Sequence, residues 1–335
     1  MLDTWVVVRL GLVEVEKHEG LSLAPADPQE FWRQSRVGDP APLRVVADLA
    51  AAEGRGWREL ELTGPSDGPG VHPGSRRVYA TAHVRRSDKP APMVILVHGF
   101  AIPFTGYDRW EAWKLRRAGA HTVRIDLPFH LRRRIPGKPS GAEYFSIDLE
   151  RMRGVVRQSV EDVAALVAWA RREVTSQVVV FGVSLGGLIS ALLAAQIELD
   201  GLVAAAPLAD PALSFTTNPP SIVQRRMGML GDGEAYWGPN PDSARRAIGG
   251  GLAAITPRVF PPRTPGERIT IVRPTLDRIV GPGPMLELAQ AWGAELWDYE
   301  HGHITVMNAH GLSARIRARL LSVAAEAPSR LQLAG

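Results

Sequence analysis

Four short segments carry side chains that could act together. In GVSLGG, residues 182–187, Ser184 sits between Gly182 and Gly186, after VVVF and before LISALLAAQ. A serine hydroxyl attacks a carbonyl only when a base takes its proton and the backbone holds it clear of the fold. A sharp strand-to-helix turn meets the second need. Such a turn crowds the residues two before and two after the serine, which gives both glycines a steric reason. It also places Ser184 at a helix N-terminus, where free N–H groups and the helix dipole favour developing negative charge. The spacing alone is a weak signal in a chain with 33 glycines. The β-branched run before it and the apolar run after it give it weight.

The second segment, VILVHGF (94–100), ends a strand in His98-Gly99. The N–H of Phe100 could face the same oxyanion as the N–H of Leu185, a pair of donors that stabilises a tetrahedral intermediate. His98 itself is expected to be structural. The third, RPTLDRIVGP (273–282), puts Asp277 in a loop after a strand, and the fourth, LWDYEHGHITV (296–306), puts His301 and His303 after another. An imidazole would accept the serine proton, and a carboxylate would hold that imidazole in the right tautomer. The chain order Ser184, Asp277, His303 is the nucleophile–acid–base order of one fold. Two alternatives stay open at this point: His301 as the base, and Asp210 in APLADP as the acid. Asp126 is expected to be a loop or capping residue.

Other chemistries lack their residues. His301-x-His303 could chelate a metal, but there is no H-E-x-x-H helix and no cysteine to assist. There is no Walker loop, and no G-x-G-x-x-G follows a strand, so no cofactor is expected.

The elements that must position these residues show two patterns. RELELTG (58–64) and RRVYATAHVRR (76–86) alternate in polarity with period two, as half-exposed antiparallel strands do. From residue 92 the runs PMVILVHG, HTVRIDLP, QVVVFGVS, GLVAAAPLAD and RITIVRP are nearly continuous and apolar, as expected of parallel strands buried on both faces. Helical segments separate most of them, which predicts a doubly wound α/β sheet. Upstream, Asp27-Pro28-Gln29-Glu30 has the ingredients of a helix start, and a second helix is expected over LRVVADLAAAEG (43–54). Residues 211–267 break the rhythm and read as an insertion folded over the sheet, with Met227, Met229 and Trp237 as candidate substrate-binding residues.

Composition sets the outer bounds. The 335 residues are 45% hydrophobic and 22% charged, which is globular. The net charge of +4 comes from scattered arginines interleaved with carboxylates, so no nucleic-acid partner is expected. The one local basic cluster, RRRIPGK (132–138), reads as a solvated loop ahead of a phosphate or acidic-ligand contact. The N-terminus lacks the parts of a signal peptide, and no apolar run reaches membrane-spanning length. A cytoplasmic protein without a membrane partner is expected.

With these residues in hand, the sequence resembles the α/β-hydrolase superfamily, in its serine esterase/lipase-like branch. His98-Gly99-Phe100, Gly182 to Gly187, Asp277 and Gly302-His303 carry the resemblance, which spans about residues 76–325. The loop IDLPFHLRRR is also similar to the post-strand loop of some bacterial members. The resemblance implies an α/β-hydrolase fold with N-terminal antiparallel strands, an extension over 1–75, a hydrolase domain over 76–325 with a lid at about 211–267, and a tail over 326–335. It implies Ser184 as nucleophile, Asp277 as acid, His303 as base, and Phe100 and Leu185 as backbone oxyanion donors. The expected activity is cleavage of small to medium apolar carboxylic esters. An acyltransferase, thioesterase or peptidase would use the same residues, and a binding protein on this scaffold is the alternative from another class.

Overall fold

The structure is a computed structural model that describes residues 24–50, 56–68, 72–87, 89–146, 148–216 and 241–326. The apolar runs form the centre of one nine-stranded sheet. Strands β4 (Met93–Val97), β5 (His121–Asp126), β6 (Val178–Val183), β7 (Gly201–Ala205), β8 (Ile269–Pro274) and β9 (Glu295–Tyr299) lie in the order β5-β4-β6-β7-β8-β9 and run parallel. Alternate residues of these strands feed two cores. Met93, Ile95 and Val97 face α3 (Leu149–Glu173) and α4 (Leu185–Gln196), whereas Val94 and Leu96 face α2 (Gly106–Arg117) and α7 (Leu312–Glu326). Burial on both faces is why these strands carry no polar alternation.

The period-two segments extend this sheet on one side. β3 (Arg77–Arg85) pairs antiparallel with β5, and β2 (Trp57–Pro65) pairs antiparallel with β3. Of the helix expected over residues 43–54, the described part, 43–50, is not helical. Residues Arg44–Ala50 form strand β1, which pairs antiparallel with β2 through a register shift between Val45 and Ala47. Free hydrogen-bonding groups along β2, together with the β-branched Val45-Val46, outweigh the helix propensity of the Ala and Leu residues. As the edge strand, β1 leaves Val45, Val46 and Leu49 exposed. Upstream, α1 (Pro28–Arg33) starts as its sequence predicts, with Asp27 Oδ1 accepting the N–H of Glu30 at 2.7 Å. Trp32 is buried, and its indole N–H donates to the carbonyl of Ala254 at 2.8 Å. Within 211–267, α5 (Pro211–Thr216) and α6 (Pro241–Leu252) are described, whereas Met227, Met229 and Trp237 lie outside the described residues.

The basic cluster at 132–138 departs from a solvated loop at one position. Arg133 is fully buried. Its guanidinium donates to Asp162 Oδ2 at 2.7 Å, to the carbonyl of Asp126 at 3.0 Å, to Ser66 Oγ at 2.8 Å and to the carbonyl of Ser75 at 2.6 Å. Gln158 Nε2 donates to Ser66 and to the Ser75 carbonyl, so the group binds the β2–β3 connection, the loop after β5 and helix α3 together. Removing one partner of a buried ion pair leaves the other uncompensated, at a cost of about 3–5 kcal/mol. Arg133→Met is therefore expected to lower the unfolding free energy by roughly that amount, measured by urea titration. A loss below about 1 kcal/mol, the size of an exposed pair's contribution, would contradict this account of the network.

Candidate active site

β6 ends at Val183, α4 begins at Leu185, and the whole turn falls on Ser184. The backbone there has φ 55° and ψ −113°, a region that costs a non-glycine residue on the order of 1–3 kcal/mol. Neighbouring contacts impose it. A Cβ at position 182 would lie 2.2 Å from the carbonyl oxygen of Gly186, and one at 186 would lie 2.0 Å from the carbonyl oxygen of Val97. No side chain fits either gap. The Ser184 N–H donates to the carbonyl of Ala205 at 2.9 Å, and its own carbonyl accepts from Leu188 at 3.0 Å, which fix the turn at both ends.

Two loops from neighbouring strands meet the serine. Asp277 follows β8, and its Oδ1 accepts the N–H groups of Ile279 at 2.8 Å and Val280 at 3.0 Å. Its Oδ2 lies 2.7 Å from His303 Nδ1, and both side chains are buried. His303 Nε2 lies 2.8 Å from Ser184 Oγ. An ionised carboxylate only accepts, so Nδ1 carries the proton, and Nε2 presents its lone pair to the hydroxyl. The loops are tied together by the N–H of Leu276 donating to the carbonyl of His301 at 3.1 Å. The two open alternatives go elsewhere. Asp210 accepts the N–H of Leu213 at 2.9 Å in the first turn of α5 and pairs with Arg245 at 3.4 Å. The His301 ring packs against Tyr299, and its Nδ1 is buried without a hydrogen bond among the described residues. Asp126 is not a loop residue but the last residue of β5, paired with Tyr79, and its side chain accepts from Arg132 Nε at 2.6 Å.

Leu185 and the loop after β4, which carries Phe100, adjoin the serine. Leu185 is the first residue of α4, so its N–H has no intrahelical partner. A Cβ on Gly99 would sit 3.6 Å from that of Ser184, which places the loop after β4 beside the hydroxyl. Two imidazoles hold this loop. His98 Nε2 accepts the N–H of Leu127 at 3.1 Å, which leaves Nδ1–H to donate to the carbonyl of Gly99 at 2.7 Å. His130 Nε2 accepts the N–H of Ala101 at 3.0 Å, and its Nδ1–H donates to the carbonyl of Pro128 at 2.7 Å. Ala101 takes φ 55°, another left-handed position. Its N–H is committed to His130. Sequence reading missed the part played by His130; the only signal was its place in IDLPFHLRRR. Among the described residues no three His, Asp or Glu side chains group as metal ligands would, and no helix is long and apolar enough to cross a membrane.

Both imidazoles must stay neutral to accept those N–H groups. Burial first, with the charge of Arg133 acting the same way, holds His98 below and His130 well below the ordinary histidine value. In the unfolded chain they titrate at about 6.5. Below that pH the unfolded chain binds protons that the folded chain refuses, so each such group subtracts stability as the pH falls. Gln at position 130 can accept the same N–H without titrating. His130→Gln is expected to lose less stability than the parent between pH 6.5 and 5, measured by urea midpoints. Parallel slopes in the two proteins would contradict a neutral, buried His130.

Comparisons with known proteins agree with this architecture. A family model described as the alpha/beta hydrolase family matches residues 94–323. No curated protein sequence matches the chain. Among solved structures, acetyl xylan esterase 1 from Thermoanaerobacterium sp. JW/SL YS485 superposes with a TM-score of 0.68 at 16% identity, covering 94% of this chain and 98% of the esterase. An acetyl xylan esterase from Paenibacillus sp. R4 gives 0.64 at 13% identity over 93% and 98% of the two chains. Est1E from Butyrivibrio proteoclasticus, solved with ferulic acid, gives 0.51 at 15% identity over 78% and 98%. The parallel sheet, the turn at Ser184 and a match over two thirds of the sequence place this chain in the alpha/beta hydrolase family.

Proposed function

We propose that the chain hydrolyses carboxylic esters through an acyl-enzyme formed on Ser184. Ser184 Oγ attacks the ester carbonyl while its proton passes to His303 Nε2. Asp277 holds the imidazole in the tautomer this needs and offsets the imidazolium charge that forms. The N–H groups of Phe100 and Leu185 hold the tetrahedral oxyanion. Collapse breaks the bond to the alcohol, which leaves with the proton from His303. Water, deprotonated by the same nitrogen, then attacks the acyl-serine and frees the acid. The observation that carries this reading is the unbroken run of short contacts from Asp277 to His303 to Ser184, at 2.7 and 2.8 Å, ending on a hydroxyl held in a strained turn.

An apolar acyl or alkyl group is the best match to the surroundings. Phe100 packs against Phe145 at 4.9 Å between ring centres, and Phe145 against Phe215 of α5 at 5.0 Å. These rings form an apolar wall beside the proposed oxyanion donors. Acetyl xylan esterases share the fold, which agrees with an ester as the bond cleaved.

Ser184→Ala is expected to lower kcat/KM for p-nitrophenyl acetate by at least about 10⁴-fold and to abolish labelling by a fluorophosphonate. Acetate and butyrate esters are expected to turn over faster than charged or bulky ones. Undiminished turnover in folded Ser184→Ala protein would overturn the proposal, as would a folded parent that no fluorophosphonate labels.

A further inference from the structure

On the face of the sheet opposite α3 and α4, β3 and β5 floor a cavity of about 650 Å³ that the chemistry at Ser184 does not use. This is the size of a small-molecule site. Thr81 of β3 and Arg124 of β5, cross-strand partners, lie on the floor. Phe104 stands at one wall, and Leu131, Arg132 and Arg134 from the loop after β5 form another. Two strand spacings, about 10 Å, separate β5 from β6, which carries Ser184.

Three guanidiniums against the one carboxylate of Asp126 make the lining positive. They are not equivalent. Arg132 is committed: it donates to Asp126 at 2.6 Å, lies 3.6 Å from Glu61 and stacks over the Tyr79 ring. Arg124 and Arg134 make no hydrogen bond or ion pair with any described residue. Arg134 is exposed, so water serves it, but Arg124 is half-buried. Burial disfavours its charge most; Arg109 and Arg116 act the same way, and Asp108 and Asp126 oppose them. A guanidinium nevertheless stays charged. An unpaired, half-buried cation is costly to keep, and its planar fork of donors matches an oxyanion with two coplanar acceptors.

We infer that this cavity binds a small organic anion. Its carboxylate or phosphate head lies between Arg124 and Arg134, within reach of the Thr81 hydroxyl, and its apolar body lies on Phe104 and Leu131. The inference stands apart from the ester-cleaving reading and needs no part of it. Arg134 is the residue of RRRIPGK that could make an acidic-ligand contact here.

Calorimetric titration of the full-length chain with benzoate, phenyl phosphate and the neutral benzamide tests it. At least one anion is expected to bind at millimolar concentration or below, tenfold or more tighter than benzamide, and the tighter of the two names the head group. Arg124→Gln is expected to weaken that anion at least tenfold and Arg134→Gln several-fold, while Ser184→Ala leaves it unchanged. Since Arg124 makes no hydrogen bond or ion pair among the described residues to lose, its variant is expected to fold; should it fail to fold, the exposed Arg134→Gln carries the test. Equal affinity for benzamide and both anions, or full affinity in the folded variants, would overturn the inference. A loss of anion binding in Ser184→Ala would place the anion at the serine and overturn it too.

Discussion

The first turn of α4 lies so close to the end of β4 that no atom fits between them. With the position of a Cβ on Gly186 only 2.0 Å from the Val97 carbonyl oxygen, helix and strand meet backbone to backbone. The chain leaving β6 has one residue in which to reverse into that helix, and Ser184 absorbs the reversal at φ 55°. Such strain persists only where the surroundings over-determine it. Here they are a strand buried on both faces and a helix whose first eleven residues are all buried. Relax the contact and the hydroxyl drops back toward an ordinary helix start.

The remaining parts are set by strand order. β4 adjoins β6 on one side, so its following loop brings Gly99 beside the serine; β8 and β9, beyond β7 on the other side, end in the loops that bring Asp277 and His303. Each arrives with its orientation already fixed by hydrogen bonds: two backbone N–H groups on Asp277, and the His98 and His130 rings on the loop after β4. Groups held this way need little rearrangement as charge develops, which is how fixed dipoles stabilise a transition state better than mobile water does.

Much of this was legible in the sequence because it is local. A Gly two residues on either side of Ser184, between a β-branched run and an apolar one, states a steric constraint that any such chain must satisfy. The parallel strands were legible for the same reason, since burial on both faces erases polar alternation. What could not be read was decided by distant partners. Residues 44–50 form a strand because β2 offers an unpaired edge, a fact absent from their own Ala- and Leu-rich composition. Arg133 looks like its neighbours Arg132 and Arg134, yet it alone is buried, since Asp162, Ser66 and Ser75 converge on it from three segments. His303 and His301 differ by two residues, and only the fold shows which ring reaches the serine.

Trapping the intermediate reaches the central claim most directly. Rapid mixing of the chain with excess p-nitrophenyl acetate, acid quench within the first turnover and peptide mass mapping should give a burst of nitrophenol. The account predicts one acetyl group per chain, on the peptide that holds Ser184. An acetyl group on any other residue, or hydrolysis with no covalent adduct at times shorter than a turnover, would contradict it.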